Sequence, residues 1–198
     1  MANEASKAAK RRFNDGLFHS RYFVGHGIDV GCGNDSLARF CKYGFPLMLK
    51  ITHWDLKDGD GQYLEDIKDN TFSFLHSSHS LEHMKDISIT LENWIRVVKP
   101  GGFLIITVPD EDMYEQGVFP SIFNKDHKHT FTICKPEHTS WSDRSINILD
   151  LAAKYSTDVI TERIMLHNEM YIPTDKKVDQ TTFPNTTECS IEWILRKV

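Results

Sequence analysis

The sequence predicts an α/β fold in which a doubly wound, mostly parallel sheet carries helices on both faces. Strand-length apolar runs alternate with segments of helical spacing, and the first apolar run ends in a glycine turn. The chain has 198 residues, of which 40% are hydrophobic and 26% charged, as is typical of one globular domain. We therefore expect a single domain over residues 1–198.

The predicted elements alternate along the chain. In order, they are a helix over 5–23, a strand over 25–33 that ends in the turn, a short helix over 35–43, strands over 47–54 and 72–78, a helix over 86–98, a strand over 103–108, a helix at about 144–154, and strands near 158–167 and 188–197. A strand that is followed by a helix and then another strand indicates parallel pairing.

Spacing and end signals support the helices. Phe13 and Leu17 lie on one side of the first helix, which fills most of an N-terminal block at 1–24. The short second helix follows Asn34 or Asp35 as its N-cap. The helix before "KPGG" repeats apolar residues at three- and four-residue intervals, so we expect it to pack on the sheet.

The strands are assigned from continuous apolar runs, which strands buried on both faces require. The clearest run is "FLIITV" (103–108), and the glycines and proline before it punctuate the chain. The last two strands have no helical pattern between them, so we expect an antiparallel arrangement at one edge. Residues 110–143 are rich in His, Pro and charge, and we interpret them as an insertion.

Charge and cysteine content exclude several classes of protein. The net charge of -5 lacks the basic footprint of a nucleic-acid-binding protein, so no nucleic-acid partner is expected. The longest apolar run is too short to cross a bilayer, and we expect no membrane association. The four cysteines include no CxxC pair, and the basic N-terminus precedes no apolar signal. These features indicate free thiols in the cytoplasm, and a homodimer remains open.

The glycine turn carries the first chemistry. Asp29 lies near the end of the first strand, and Gly31 and Gly33 form a turn where a Cβ would block the approach of a ligand to the backbone. Asp55 ends the second strand 22 positions after Gly33, where an acid is suited to bind ribose hydroxyls. Ser36 stands where a dinucleotide fingerprint has a third Gly or Ala, so a cofactor without a pyrophosphate is favoured.

These blocks together resemble class I S-adenosylmethionine-dependent methyltransferases of the small, single-domain, type 11-like kind. The resemblance is carried by "IDVGCG" (28–33), Asp55, "DGQYL" (60–64), "FSFLHSSHSLEHM" (72–84) and "WIRVVKPGGFLIITVP" (94–109). It implies a seven-stranded sheet with an antiparallel edge strand. It also implies that S-adenosylmethionine is the cofactor and S-adenosylhomocysteine the product, and that the insertion at 110–143 lies on the substrate side.

The resemblance implies a role for each matching position. The residues expected to bind the cofactor are Asp29, Gly31, Cys32 and Gly33 at its amino-acid end, Asp55 at the ribose, Asp60, Gly61 and Gln62 at the adenine, and Ser77, Ser78 and His79 towards the substrate. Asp55 and Asp60 are only five positions apart, whereas the family has a helix and a strand between the corresponding blocks. Either this region is truncated, or one acid is misassigned and Asp58 is the adenine-side acid.

Histidines supply the candidate catalytic groups. In "DHKHT" (126–130), His127 and His129 share a face of extended chain and are suited to accept a proton from a hydroxyl; His79 is a further candidate. We assign no metal ligand from the sequence, but two alternatives remain open. "HSLEH" places His79 and His83 four apart with Glu82 between them, and His127 and His129 could be completed by Asp126 or Asp110.

The sequence therefore predicts an enzyme that transfers a methyl group from S-adenosylmethionine to a small-molecule or sugar-type acceptor, with oxygen as the preferred acceptor atom. The alternative is a catalytically inactive protein that binds the cofactor and acts as a regulator or in a complex. A nicotinamide-dependent dehydrogenase or epimerase is disfavoured by Ser36 and by the lack of a Tyr-xxx-Lys pair.

Overall fold

The computed structural model describes residues 3–133, 135–136, 139–182 and 187–198. Within these residues, a central sheet of six strands has the order β2-β1-β3-β4-β8-β7, and β5 and β6 form a separate two-stranded sheet. The strands are β1 Gly25–Val30, β2 Met48–Trp54, β3 Phe72–Ser78, β4 Val98–Pro109, β5 Thr130–Thr132, β6 Ser145–Asn147, β7 Val159–His167 and β8 Ser190–Lys197. The α-helices are α1 Glu4–Arg12, α2 Ile87–Val97 and α3 Ile148–Lys154.

The predicted α/β architecture is confirmed. Strands β2, β1, β3 and β4 pair in parallel, and β8 runs antiparallel to both β4 and β7 at one edge. Val30 is in register with Trp54 and with Ser77, so three strands end at the same level. In an open parallel sheet, the carboxyl ends of the strands are where ligands bind.

Two apolar layers cover the sheet. On one face, α2 and α3 bury side chains that include Leu91, Trp94 and Ile148 against the strands. On the other face, Phe18 and Phe23 of the N-terminal segment pack in a second cluster. Among the described residues, no helix combines the length and apolar character that crossing a membrane requires.

The predicted helix over residues 5–23 is wrong in its length. The first helix ends at Arg12, and a separate π-helical turn covers Phe18–Tyr22. Between them, the carboxylate of Asp15 accepts a hydrogen bond from the backbone N–H of Leu17 at 3.0 Å. An Asp side chain that bonds the local backbone competes with the helical hydrogen bonds, and the glycine at position 16 adds flexibility, which explains the break.

The helix predicted over 35–43 is reduced to a 3-10 turn, Leu37–Phe40. Its N-cap is Ser36, whose hydroxyl accepts a hydrogen bond from the N–H of Ala38 at 3.1 Å, rather than Asn34 or Asp35. The N–H of Leu37 donates to the carboxylate of Asp29 at 2.8 Å. The first amides of this turn are therefore used within the protein, and no long helix offers its N-terminus to a ligand here.

The implied seventh strand is absent from the described residues, and the region after Asp55 is truncated. Residues 55–71 contain turns and no strand or helix. The reason lies in "DLKDGDGQYLEDIKDN", which is acidic, interrupted by glycine and lacks an apolar run long enough for a buried strand. As a result, β2 forms an edge of the sheet.

A buried polar chain crosses the molecule beneath the glycine turn. The guanidinium of Arg12 donates to Nε2 of His76 at 3.0 Å and forms an ion pair with Glu192 at 2.6 Å. Because an arginine can only donate, His76 carries its proton on Nδ1, which lies 2.7 Å from the carboxylate of Asp29. This series of buried polar contacts thus connects α1 and β8 to the glycine turn.

Candidate functional site

Two adjoining cavities open at the carboxyl ends of the parallel strands. The larger has a volume of about 750 Å³ and the smaller about 380 Å³. Both are lined by Gly31, His79 and His83. Two molecules bound in the two cavities would therefore meet at these three residues.

The glycine turn forms the boundary of the two cavities. Gly31 has a φ of 71°, and a Cβ at this position would collide with the hydroxyl of Ser80. The sequence predicts that a bound ligand requires glycine at this position. The structure shows that Ser80 of the protein already leaves no room for a side chain. Gly33 has a φ of 48°, and a Cβ added there would meet no atom within 4 Å, so its backbone faces open space.

Asp55 and Asp60 both line the larger cavity, together with Gly61 and Gln62. Asp58 does not line it; its carboxylate accepts from the N–H of Asp55 at 3.1 Å and shapes the turn. Both acids of the five-residue spacing therefore lie at the larger cavity, and residues 55–71 contain no helix or strand.

Gly61 and Gln62 are held in place from behind. The carbonyl of Gly61 accepts a hydrogen bond from the indole of Trp94 at 2.8 Å, and the side-chain oxygen of Gln62 accepts from the N–H of Asp86 at 2.8 Å. Asp86 is the N-cap of α2, with its carboxylate 3.0 Å from the N–H of Ile89. Packing against α2 thus positions this wall of the larger cavity.

The other predicted cofactor residues differ in their placement. Cys32, Gly33 and Ser78 line the smaller cavity with Asp29, whereas Ser77 is fully buried and lines neither cavity. One carboxylate oxygen of Asp29 contacts His76, and the other accepts from Ser36 and Leu37. Asp29 therefore acts by fixing the turn.

The smaller cavity has an acidic wall that the sequence did not reveal. Glu4, Glu82, Tyr114 and Asp179 line it, although they lie far apart in the chain. Burial, opposed by Lys7, raises the pKa of Glu4 to about 7. Burial, reinforced by the charge of Asp179, also raises the pKa of the Tyr114 hydroxyl above its usual range. Further negative charge is therefore disfavoured in this cavity.

Glu82 lies at the centre of a group of imidazoles. Its Oε1 lies 3.7 Å from Nδ1 of His79, 3.9 Å from Nε2 of His83 and 3.8 Å from Nε2 of His127. The side chain is completely buried, and neither oxygen has a hydrogen-bond partner among the described residues. Burial raises the pKa of Glu82.

His79 joins this group from the end of β3. Its φ of 53° is left-handed, and its backbone N–H donates to the carbonyl of Thr107 at 2.9 Å. This backbone turn follows the strand directly and places the imidazole between the two cavities. Burial lowers the pKa of His79 to about 3, so the ring is neutral near pH 7.

His127 reaches Glu82 from the insertion. The backbone N–H groups of Lys128 and His129 donate to the carbonyl of Glu82 at 2.8 and 3.3 Å, which fastens the loop over the strand ends. Nδ1 of His127 lies 2.6 Å from Oε1 of Glu115. Burial acts to lower the pKa of His127, but the Glu115 hydrogen bond and the charge of Glu82 outweigh it and raise the pKa.

His129 has a different environment, for it lines neither cavity. Burial lowers its pKa, opposed by hydrogen bonding at the backbone of Lys85 and Met84. The structure thus separates the two histidines that the sequence pattern grouped together. Glu115 was missed because nothing in the local sequence pairs it with a histidine twelve positions later.

This architecture defines a class of proteins: α/β enzymes that bind a nucleoside-containing cofactor over a glycine turn, with an acid at the end of the next strand. The sequence profile described as "Methyltransferase domain" matches residues 6–150. The chain belongs to this methyltransferase family, and its cofactor is S-adenosylmethionine. No curated protein sequence matches the chain.

Solved structures share the fold at low sequence identity. An S-adenosylmethionine-dependent methyltransferase from Archaeoglobus fulgidus is 18% identical with a TM-score of 0.58, covering 99% of this chain and 95% of that chain. One from Mesorhizobium loti is 15% identical with a TM-score of 0.56, covering 97% and 99%. A protein solved in a complex with the Haloferax volcanii Trm112 methyltransferase activator is 13% identical with a TM-score of 0.59, covering 98% and 89%.

The larger cavity fits the cofactor of this family. Its volume of about 750 Å³ lies within the range of about 300–1,000 Å³ that is usual for small-molecule sites. The open space beside the Gly33 backbone belongs to the smaller cavity, which meets the larger one at Gly31. Asp55 supplies a carboxylate at the end of β2, and Gly61 packs closely beside Val30 and Met84 in the lining.

Proposed function

We propose that the protein transfers a methyl group to a hydroxyl oxygen of a small-molecule or sugar-type acceptor bound in the smaller cavity. The observation that carries this proposal is the shared boundary of the two cavities at Gly31, His79 and His83. When bound, S-adenosylmethionine supplies an activated methyl group on its sulfonium. The protein's contribution is to hold the acceptor in line with that group at the boundary.

The cofactor-binding roles follow from position. Asp55 is proposed to bind the ribose hydroxyls, and Asp60, Gly61 and Gln62 to border the adenine. Gly31, Cys32, Gly33, Ser78 and His79 are proposed to surround the amino-acid end, which would enter the smaller cavity beside the glycine turn. The acceptor is proposed to occupy the rest of that cavity, which Glu82, Tyr114 and His127 line. Asp29 is proposed to support the cofactor site by fixing the glycine turn, and Ser77 by shaping the end of β3.

The chemistry of the acceptor is argued from charge. The carboxylates of Glu4, Glu82 and Asp179 at the smaller cavity disfavour a phosphate or carboxylate group and favour a neutral molecule with several hydroxyls. Within the protein alone, Nε2 of His127 is the group best placed to accept the hydroxyl proton. Glu115 bonds the opposite ring nitrogen, which orients the imidazole and stabilises its charged form.

The cofactor assignment is tested by calorimetric titration of the purified protein with S-adenosylmethionine and S-adenosylhomocysteine, with NAD as control. We expect micromolar binding of the first two and none of NAD. Asp55→Asn should weaken binding of S-adenosylhomocysteine by about 10- to 150-fold, because a charge-assisted hydrogen bond contributes roughly 1.5–3 kcal/mol. Asp66→Asn, an exposed acid outside the cavity, is the matched control. Equal S-adenosylhomocysteine affinities of the wild type and Asp55→Asn would show that Asp55 does not bind the ribose.

The acceptor assignment is tested by measuring S-adenosylhomocysteine formation with a panel of sugars and hydroxylated small molecules. With a productive acceptor, His127→Gln should lower turnover by about 100-fold or more and leave cofactor affinity unchanged. His19→Gln, whose ring contacts the Phe13 carbonyl away from the site, is the control. Full turnover in His127→Gln would exclude this histidine as the proton acceptor.

A second candidate is a cofactor-binding protein without transferase activity that functions in a complex. One structural neighbour was solved with a methyltransferase activator, and residues 55–71 contain no helix or strand. Methyl transfer to any member of the panel would exclude this second candidate. Tight S-adenosylhomocysteine binding with no transfer to any acceptor would favour it.

A further inference from the structure

The group around Glu82 has the composition and geometry of a metal site. We propose that Glu82, His83 and His127 bind one divalent transition-metal ion. One ligand atom from each of the three lies within 4.8 Å of the other two. All three residues line the smaller cavity, so an ion among them would be reachable by a molecule bound there.

The distances are those of ligands and not of hydrogen-bond partners. Oε1 of Glu82 is 3.9 Å from Nε2 of His83 and 3.8 Å from Nε2 of His127, both too long for a hydrogen bond. Two ligands at about 2.1 Å from a tetrahedral ion are roughly 3.4 Å apart. The two distances from Glu82 exceed this value by about 0.4–0.5 Å. All three ligand atoms lie within 4.8 Å of one another, so binding an ion requires the two imidazoles and the carboxylate to move closer together.

The unpartnered carboxylate of Glu82 is the strongest reason to expect a cation. A completely buried carboxylate that accepts no hydrogen bond is costly, because it has lost its hydration without compensation. Among the described residues, no lysine or arginine forms an ion pair with Glu82, and only imidazoles approach it. A divalent ion would supply the missing positive charge.

The outer nitrogens of both histidines already contact carboxylates. Nδ1 of His127 lies 2.6 Å from Oε1 of Glu115, and Nδ1 of His83 lies 3.0 Å from Oδ2 of Asp126. Metal-binding histidines commonly donate their other N–H to a carboxylate, which fixes the tautomer and directs the free nitrogen to the ion. Here, His127 has that arrangement, whereas Nδ1 of His83 lies close to Asp126 without forming a hydrogen bond. The Nε2 atoms of both histidines lie within 3.9 Å of Oε1 of Glu82.

The donor set indicates the class of ion. Two imidazoles and one carboxylate suit Zn²⁺, Fe²⁺ or Co²⁺, whereas Mg²⁺ and Ca²⁺ prefer oxygen ligands. Three protein ligands leave at least one coordination position open, as in catalytic rather than structural sites. That position would be available to an oxygen of a molecule in the smaller cavity.

The role of the ion in methyl transfer rests on the proposed function. The proposal that the ion binds at this site does not depend on that function. An oxygen bound to a divalent ion loses its proton more readily, because the positive charge stabilises the anion. With an ion present, Nε2 of His127 is a ligand and no longer a free base. The ion would then promote loss of the hydroxyl proton in place of His127, and the proton would pass to solvent water at the mouth of the smaller cavity as the oxygen–methyl bond forms.

The test is a titration of chelator-treated, full-length protein with Zn²⁺ and with Mg²⁺ in separate calorimetric experiments. We expect one Zn²⁺ per chain and at least 100-fold weaker binding of Mg²⁺. Glu82→Gln should weaken Zn²⁺ binding by more than the roughly 10- to 100-fold expected for Glu115→Gln, since a ligand matters more than the group that orients one. Glu65→Gln, an exposed glutamate remote from the site, should bind as the wild type does.

Cobalt provides a second readout that does not depend on activity. Co²⁺ should give a visible absorption band in the wild-type protein that is lost in Glu82→Gln and retained in Glu65→Gln. Absence of stoichiometric Zn²⁺ binding, or equal Zn²⁺ affinity in wild type and Glu82→Gln, would overturn the metal site. Titration of the same metal-free protein with S-adenosylhomocysteine separates the two proposals, because cofactor binding without metal binding would reject only the ion.

Discussion

Glu82 and Glu111 are both completely buried glutamates that follow the carboxyl ends of β3 and β4, but their surroundings are opposite. Among the described residues, Glu111 accepts hydrogen bonds from four donors within the insertion and the strand that follows it. These are Thr130 at 2.9 Å, Lys135 at 2.7 Å, and Ser140 and Ser145 at 2.6 Å each. Glu82 accepts none from any described residue. Protein donors replace the water that the Glu111 carboxylate loses on burial, whereas the Glu82 carboxylate has no such donors among the described residues.

The difference distinguishes an acid that stabilises the insertion from one that we propose binds an ion. The donors of Glu111 come from four separate positions, so this single carboxylate ties the insertion together. A buried charge without partners lowers stability, and such local violations concentrate at functional sites. The comparison therefore predicts that the same substitution at the two glutamates changes stability in opposite directions.

The largest expected effect is at Glu111. Glu111→Met should lower the free energy of unfolding by about 3–5 kcal/mol, because three hydroxyls lose their acceptor at roughly 1–3 kcal/mol each. The ammonium of Lys135 also loses Glu111 but keeps Asp112 at 2.6 Å. Urea unfolding of the metal-free protein measures this change. Glu65→Met at an exposed position is the control and should change stability by less than about 0.5 kcal/mol. A loss below about 1 kcal/mol at Glu111 would contradict its structural role.

The ion pair of Glu192 gives a comparison with a third buried carboxylate. Burial acts to raise its pKa, but Arg12 and Arg11 outweigh burial and lower the pKa to about 2, from a usual value of 4.5. A lowered folded-state pKa stabilises the protein above the unfolded-state value, and this stability is lost as the pH falls from about 4.5 towards 2. We expect a loss of about 3 kcal/mol over that window.

Unfolding measured between pH 2 and pH 7 for wild type and Glu192→Gln checks this prediction. The stability difference between the two proteins should be largest at neutral pH and should shrink by about 3 kcal/mol below pH 4.5. A difference that does not change with pH would show that Glu192 does not titrate with the folding equilibrium.

These carboxylates also mark the boundary of what the sequence could predict. The alternation of apolar runs and helical spacing predicted the parallel sheet. The spacing of Gly33 and Asp55 indicated a ligand site at the carboxyl ends of the strands, where Gly33 lines the smaller cavity and Asp55 the larger. The partners of Glu192 were not predictable, because Arg12 is 180 positions away in the chain. Likewise, Glu82 was noted only as part of a local pattern. Its meaning depends on His127, which a loop of irregular structure brings to it.

The opposite sign is expected at Glu82. Glu82→Met should raise the free energy of unfolding of the metal-free protein by about 1–3 kcal/mol, because it removes a buried polar group that has no donor. Saturating Zn²⁺ should then stabilise the wild type, by about 2.7 kcal/mol at 100 times the dissociation constant, and should not stabilise the variant. A variant that is less stable than wild type without metal would contradict the comparison.

The smallest expected effect on stability is at Asp126, which is largely exposed and contacts His83 at 3.0 Å and Lys128 at 3.3 Å. Because solvent screens such contacts, Asp126→Asn should change the free energy of unfolding by no more than about 0.5 kcal/mol. Its carboxylate nevertheless orients His83, so Zn²⁺ affinity should fall by roughly tenfold. Asp66→Asn, an exposed acid without such a contact, should change neither quantity. If Asp126→Asn leaves Zn²⁺ affinity unchanged, the Asp126 carboxylate does not position the imidazole of His83. Glu115, which bonds His127, would then be the remaining carboxylate that orients a ligand of the ion.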